Sequence, residues 1–516
     1  MRGWGVRPFL LGALLVLLAA GCTVGPSQRP AIVAAGGGAT TPAAATPKIG
    51  LPPLVPPGPS TLDWIDCDAD TRDRLGSQTV PANVRFQCAE LPGMLDSPDD
   101  PEPVPSHLAL LKVGQGPIPL IAVDDVSGDP GTLYAAWLAT VLPDSLLQTF
   151  SLIGVDRRGT GSSDGLHCVP SDARAQILGY DPDSDNLDAM LDAVRKATQQ
   201  CTLDLDNALQ EINSWRTAGD LNRIRDALGV PRLNAIGRGE GSRVLTTFAS
   251  RFPDQTGRLV LDGTPDPTAD PQQGVQSKAV AAEKTFDAFA ADCVAHGCSL
   301  GADPRQALTQ LINQLRGQPL VTADGSQVTA GITVNAVLAA LPYRQVWPVL
   351  SDALAKAVGG DGTGLLGLLA EQLTGSTQEG SRFDAGLLTG CNDDPAREPP
   401  QKVAASVKDL RVRQPLFGGV MAQSLLLCDA WPVPSQPVPA PNAPKAPPIL
   451  VLSTANDPVT PQDGTQHTVQ ELGSAVLMNW QGTGHGALPN SACATQAAQA
   501  FLVQGTVPKD GTACPP

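Results

Sequence analysis

Three short segments carry the residue types of nucleophilic catalysis, in the chain order nucleophile turn, acid, base. The first is Gly237-Arg238-Gly239-Glu240-Gly241. The apolar run 232–236 before it reads as a strand, and 241–251 after it reads as a helix. A strand, a tight turn bounded by small residues and a helix lift the central side chain above the end of a parallel sheet. A serine at that apex would attack a carbonyl carbon. Here the apex is Gly239, which has no oxygen to donate. Gly237 and Gly241 preserve the turn itself. Ser242 sits inside the helix and Glu240 beside the apex, so neither takes the central place.

The acid candidate is Asp457, reached directly from the apolar run 449–454. The base candidate is His485, set between Gly484 and Gly486 after a second apolar run, 475–480. Ligands of open α/β sheets bind at the carboxyl ends of strands, where both residues fall. In a triad the acid orients the imidazole and stabilises its charged form. Singly, Asp457-Pro458 also reads as a turn opener and Gly-His-Gly as a plain loop. Their order and strand-end placement tie them to the turn at 237–241.

A second departure lies upstream. After the apolar strand 118–123 the chain reads Asp124-Asp125-Val126-Ser127-Gly128-Asp129-Pro130-Gly131. In acyl transfer this loop would aim backbone N–H groups at developing negative charge. Asp124, Asp125 and Asp129 oppose that charge unless they point away or pair with Arg238. Glycine at the apex and carboxylates in this loop both argue against acyl transfer. A water above Gly239, activated by His485, is the remaining source of an attacking oxygen.

The elements that must position these residues alternate. Strands are expected at 108–113, 118–123, 150–155, 232–236, 258–262, 449–454 and 475–480, with helices at 133–142, 217–228, 241–251 and 490–503. Such alternation predicts an α/β fold with a mostly parallel sheet flanked by helices. Between its halves, 268–445 reads as a large inserted helical lid, with helices expected at 277–296, 305–316, 333–341, 345–358 and 365–374. The core is thus split into 61–267 and 446–516.

Residues 1–22 read as a secretory leader. Arg2 and Arg7 precede a short apolar stretch that ends in Leu18-Ala-Ala-Gly21-Cys22. That ending is similar to a bacterial lipobox and predicts acylation of Cys22 and a lipid anchor on the outer face of the membrane. Residues 23–60, rich in Pro, Ala and Gly, read as a disordered tether. Ten cysteines remain beyond Cys22: Cys67, Cys88, Cys168, Cys201, Cys293, Cys298, Cys391, Cys428, Cys493 and Cys514. An even count in an exported chain argues disulfides, with connectivity open. No Cys-x-x-Cys or paired-histidine spacing suggests a metal, and no cofactor motif is present. The formal net charge of −16 argues against nucleic acid as a partner.

The quoted segments together resemble the secreted tripeptidyl aminopeptidases and their carboxylesterase-like relatives, in the proline-iminopeptidase branch of the α/β-hydrolases. Residues 150–163, with Asp156-Arg157-Arg158-Gly159-Thr160-Gly161, are similar to that family's strand followed by Asp-x-Arg-Gly-x-Gly-x-Ser. Leu259-Val-Leu-Asp262-Gly263 with Asp266-Pro267, Asp457-Pro-Val-Thr-Pro461, Gly484-His485-Gly486 and the ending 507–514 extend the likeness. The resemblance implies a serine where this chain has Gly239, and a glycine-rich loop where it has 124–131. It also implies the sequential pairing Cys67–Cys88, Cys168–Cys201, Cys293–Cys298, Cys391–Cys428 and Cys493–Cys514. The expected function is a lipid-anchored, catalytically impaired hydrolase-fold protein that binds a peptide, an acyl ligand or a protein partner. The alternative is an active aminopeptidase or carboxylesterase with an unconventional nucleophile.

Overall fold

The computed structural model describes residues 50–516, apart from 77–79, 82, 96–102, 268–269 and 375–378. Cys22 and the leader lie outside the described residues.

A sheet of ten strands organises the chain: β1 (Ile65–Asp66), β2 (Phe86–Leu95), β3 (Val104–Val113), β4 (Ile118–Val123), β5 (Phe150–Val155), β6 (Leu233–Arg238), β7 (Thr256–Asp262), β8 (Ile449–Asn456), β9 (Ala475–Thr483) and β10 (Thr512–Cys514). Their spatial order is β1-β2-β3-β5-β4-β6-β7-β8-β9-β10. From β5 to β10 every pairing is parallel, while β1, β2 and β3 join antiparallel at one edge. Every residue of β4, β5, β6 and β7 is buried, because helices cover both sheet faces.

Side chains alternate between the two faces along each strand. Leu120, Leu152, Ile236, Val260 and Leu452 join one core with helix Gly131–Val141 and the chain end around Phe501. Ile121, Ile153, Ala235, Leu259, Leu261 and Val451 join the other, against helices Ser214–Ala227 and Glu240–Arg251. A one-residue slip in any of these strands would exchange the two sets, so burial fixes the register that sets the site.

The segment after β7 is helical, as expected. Its helices include Pro271–Ala295, Pro304–Gly317, Ala330–Ala340 and Trp347–Val358, packed around Phe286, Phe289, Trp347 and Phe417. The single helix expected at 365–374 is instead two, Thr363–Leu368 and Ala370–Leu373. Between them Leu369 leaves helical dihedrals (φ −108°, ψ 6°) and is buried in the lid core. Helices Ser171–Leu178 and Asp188–Leu205 add to the expected elements and pack with the lid around Leu388 and Val407.

One boundary moves. Residues 50–60, expected in the tether, lie on the core. Leu51 and Leu54 pack against one apolar cluster, Gly58 N–H donates to Gly229 O at 2.9 Å, and Arg258 Nη2 donates to Pro52 O at 3.1 Å. Arg258 is buried, and the Pro52 carbonyl meets a donor that would otherwise go unsatisfied. All five disulfides implied by the resemblance are formed: Cys67–Cys88, Cys168–Cys201, Cys293–Cys298, Cys391–Cys428 and Cys493–Cys514.

Candidate active site

β6 ends at Arg238, and the elbow helix Glu240–Arg251 begins after one intervening residue, Gly239. Gly239 makes the turn at φ 54°, in the left-handed region. The flanking glycines are required by close approach. A Cβ on Gly241 would lie 2.2 Å from Val123 O, and one on Gly237 2.8 Å from Leu245 Cδ1. Ser242 is turned inward, its hydroxyl donating to Gly237 O at 2.9 Å.

Asp457 follows β8 and is fully buried. Its Oδ1 accepts from the N–H groups of Val459 and Thr460, each at 2.9 Å, and its Oδ2 from Thr460 Oγ1 at 2.9 Å. The remaining face meets the imidazole, with His485 Nδ1 2.9 Å from Asp457 Oδ2. The His485 backbone is tied to the lid by its N–H donating to Pro342 O at 2.9 Å. Gly239, Asp457 and His485 therefore converge at the carboxyl end of the sheet.

The place of the missing serine is filled by Asp125. A Cβ built on Gly239 would stand 2.0 Å from Asp125 Oδ1 and 2.6 Å from Oδ2. Asp125 Oδ2 is 2.6 Å from His485 Nε2, and Asp125 Oδ1 accepts the Glu240 N–H at 2.7 Å. That N–H, from the residue after the elbow apex, is the one that serves an oxyanion hole in this architecture. One carboxylate thus takes both the attacking position and the oxyanion position. Asp125 neither points away from the site nor takes the bidentate place on Arg238, which Asp124 holds; it is bound at the centre itself.

The other two loop carboxylates pair away from the apex. Asp124 is gripped by Arg238, with Nε 2.8 Å from Oδ1 and Nη2 2.7 Å from Oδ2. The Arg238 guanidinium lies 4.6 Å from the Tyr134 ring centroid. Asp129 accepts from Arg382 Nη2 at 2.6 Å, which joins the loop to the lid helix Arg382–Asp393. Glu240 turns outward toward Arg243, 3.5 Å away.

Electrostatics make the centre an ion pair. Burial opposes the charge of His485, but the carboxylates of Asp457 and Asp125 outweigh it and raise its pKa to about 10. Burial likewise works to raise Asp125, yet the His485 charge and hydrogen bond win and hold it below the ordinary carboxylate range. Both ring nitrogens of His485 are engaged by carboxylates that favour its charged form, so neither is free to act as a base. Burial also pushes Asp124 up to about 6 against the pull of Arg238, and Asp262 up to about 6 against hydrogen bonds from Ala487 and Leu488 N–H groups.

Two spaces adjoin the centre. A cavity of about 20 Å³ is lined by Asp125, Arg157, Thr160 and Arg382. An outer chamber of about 570 Å³ lies under the lid, lined by Val126, Ser127, Glu240, Lys278, Phe383 and Leu425 among others. A larger lid cavity of about 1090 Å³, between helix Ser171–Leu178 and the 363–374 region, includes none of the triad positions. Size alone does not locate the chemistry. Among the described residues, no group of three or more His, Cys, Asp or Glu is placed to hold a metal ion.

Asp262 and Arg157 were not singled out in the sequence as site residues. Asp262 ends β7 and accepts the Ala487 N–H at 2.6 Å, bracing the histidine loop from below. Its signal was position, the last residue of an apolar strand beside the elbow. Arg157 is 4 % exposed, and its Nε and Nη1 have no hydrogen-bond partner among the described residues. It sits in a segment whose local pattern explains only Asp156 and the glycines.

Residues 414–514 match the family described as TAP-like protein. The chain is 27 % identical over 496 residues to the serine protease Hip1 of Mycobacterium tuberculosis, covering 91 % of this chain and 92 % of that protein. It is 28 % identical to carboxylesterase B of the same organism, covering 91 % and 93 % of the two chains. It is 25 % identical to tripeptidyl aminopeptidase of Streptomyces coelicolor, covering 71 % and 70 %. With this sheet order, elbow and Asp457–His485 pair, the chain has the α/β-hydrolase fold and is similar in sequence to the TAP-like hydrolases, with glycine at the apex of the elbow.

Proposed function

We propose that this protein is an exported, lipid-anchored member of the hydrolase group that has given up acyl transfer and binds a peptide or acyl ligand in the outer chamber. The observation that carries the reading is the Asp125 carboxylate over Gly239. It bonds to His485 Nε2 at 2.6 Å and to the Glu240 N–H at 2.7 Å. A substrate carbonyl needs both of those positions, and a base needs a free imidazole nitrogen. The chamber offers apolar walls at Phe383 and Leu425 with charged groups at Lys278 and Glu240, which suits a ligand with an apolar body and polar ends. Cleavage before Cys22 and its acylation would place the domain outside the cell membrane, as the leader suggests.

The second reading, an aminopeptidase or esterase with an unconventional nucleophile, finds Asp125 in the space above Gly239 that an activated water would need, which leaves a carboxylate oxygen of Asp125 as the candidate beside His485. Attack of a carboxylate on an acyl carbon gives a mixed anhydride, which is higher in energy than the peptide or ester consumed. The binding reading is therefore preferred. The test is labelling by a fluorophosphonate together with chromophore release from tripeptide anilides and short acyl esters. No labelling and no release above buffer are expected. Turnover abolished by His485→Ala would overturn the reading.

A further inference from the structure

The lid cavity of about 1090 Å³ lies apart from Gly239, Asp457 and His485. Its volume is at the upper end of small-molecule sites, which span roughly 300–1,000 Å³. Its wall is apolar, with Ala175 from helix Ser171–Leu178, Ile332 from helix Ala330–Ala340, and Leu366, Ala370 and Leu373 from helices Thr363–Leu368 and Ala370–Leu373. We propose that this cavity is a second binding site, for an amphiphile with an apolar body and an amine head. This goes beyond the reading of the outer chamber and does not depend on it.

The hydroxyl groups around the cavity are turned onto the protein itself. Thr322 Oγ1 donates to Ser326 O at 3.0 Å, Ser326 Oγ to Asp324 Oδ2 at 3.1 Å, and Thr329 Oγ1 to Gly179 O at 2.7 Å. An apolar body that displaces water here strands none of these donors and gains by leaving water itself. Gly367 also lines the cavity and looks onto open space, since a Cβ there would meet nothing within 4 Å.

The charges at the rim select the head. Asp181 and Asp324 both line the cavity. Asp181 Oδ1 pairs with Arg316 Nε at 3.0 Å, and Arg316 Nη2 also holds Asp183 Oδ2 at 2.7 Å, so one guanidinium is shared between two carboxylates. Asp324 is exposed and accepts hydrogen bonds from Thr322 and Ser326, with no ion pair among the described residues. A carboxylate or phosphate head would meet uncompensated negative charge there, whereas an ammonium head would meet a partner.

The cavity and the outer chamber lie on two sides of one helical wall. Leu178, Leu369 and Gln372 line the chamber, while Ala175, Ala370 and Leu373 line the cavity. No lining residue is shared, so a change at Gly367 reports on the cavity and not on the chamber.

The full protein is titrated calorimetrically with octylamine, decylamine and dodecylamine, each below its micelle-forming concentration, and with dodecanoate. Each added methylene should tighten amine binding about four-fold. Dodecylamine should bind at least about three-fold tighter than dodecanoate, and Asp324→Asn should narrow that gap while leaving the methylene increment unchanged. Gly367→Phe, which puts a ring into the open space, should weaken dodecylamine by about ten-fold or more, the loss of two or more buried methylenes. A thermal melt checks that this variant folds. If it does not, Asp324→Asn, in an exposed turn, carries the test. Four outcomes overturn the proposal: affinity independent of chain length, dodecanoate as tight as dodecylamine, a head-group gap untouched by Asp324→Asn, or full affinity in folded Gly367→Phe.

Discussion

Gly239→Ser brings a Cβ to within 2.0 Å of Asp125 Oδ1, where a carbon–oxygen contact needs about 3.2 Å or more. The carboxylate must retreat by roughly 1 Å, and both of its bonds, to His485 Nε2 and to the Glu240 N–H, are lost or stretched. Hydrogen bonds to charged groups contribute about 1.5–3 kcal/mol each. A non-glycine residue at φ 54° adds about 1–2 kcal/mol. The single substitution should thus destabilise by on the order of 5 kcal/mol and label poorly with a fluorophosphonate. Asp125→Gly alone leaves His485 without its second carboxylate, a loss of about 3–5 kcal/mol for a broken buried pair. Combined, the two substitutions let the new hydroxyl take the vacated place beside His485. The pair should be more stable than the sum of the singles by about 2 kcal/mol or more. It should also be the first variant to label. Its turnover should remain about 10²–10³ below that of an intact hydrolase, because only one oxyanion donor, Glu240 N–H, is restored. Urea midpoints of the four proteins and the rate of labelling test this. Strictly additive stabilities, or a Gly239→Ser single variant that labels as fast as the double, would refute the steric and electrostatic coupling.

Burial raises the folded-state pKa of Asp262 to about 6 from an unfolded value of 3.8. Its stability contribution is then fully present below pH 3.8 and lost as pH rises through about 6, on the order of 3 kcal/mol. Asp262→Asn cannot ionise, but its amide NH2 must face one of the Ala487 and Leu488 N–H donors, so its stability should be lower at pH 4 yet lack the fall that the native protein shows between pH 4 and 8 in urea titrations. Cys22→Ala should move the protein from the membrane fraction to the soluble one, and retention in the membrane would exclude the lipid anchor. Non-reducing peptide mapping of the native protein should find all five disulfide pairs and no free thiol among the ten cysteines. A reduced pair would contradict the pairing.

The parts of the site that local pattern encodes were legible in the sequence. The elbow follows from an apolar strand, two glycines and a helix. Asp457 and His485 follow from apolar runs that end just before them, and the closely spaced glycines fix where the chain turns. What Asp125 does was not legible. Its direction depends on contacts distant in sequence: Asp124 held by Arg238, 114 residues away, and Asp129 held by the lid at Arg382, 253 residues away. The residue types showed unfavourable charge in the oxyanion region but not that the charge fills the space glycine leaves. Edge strands were missed for a related reason. β2 carries Pro92 and Gly93 in its second half, beyond Gln87 and Cys88 where β1 pairs, so there only β3 flanks it and a proline is tolerated. The tether's inner boundary was set by the Arg258 contacts with Pro52, again invisible to composition.

The central claim is that Asp125 sits in the nucleophile's place and holds His485 as an imidazolium. The direct measurement is nitrogen-15 NMR of the imidazole of His485 in the native protein from pH 5 to 9. With its pKa raised to about 10 by Asp457 and Asp125, both ring nitrogens should carry protons across that whole range, with two downfield proton resonances. A single protonated nitrogen at pH 7.5, or a titration midpoint below pH 7, would mean that Asp125 is not bonded to Nε2 and that the site is open.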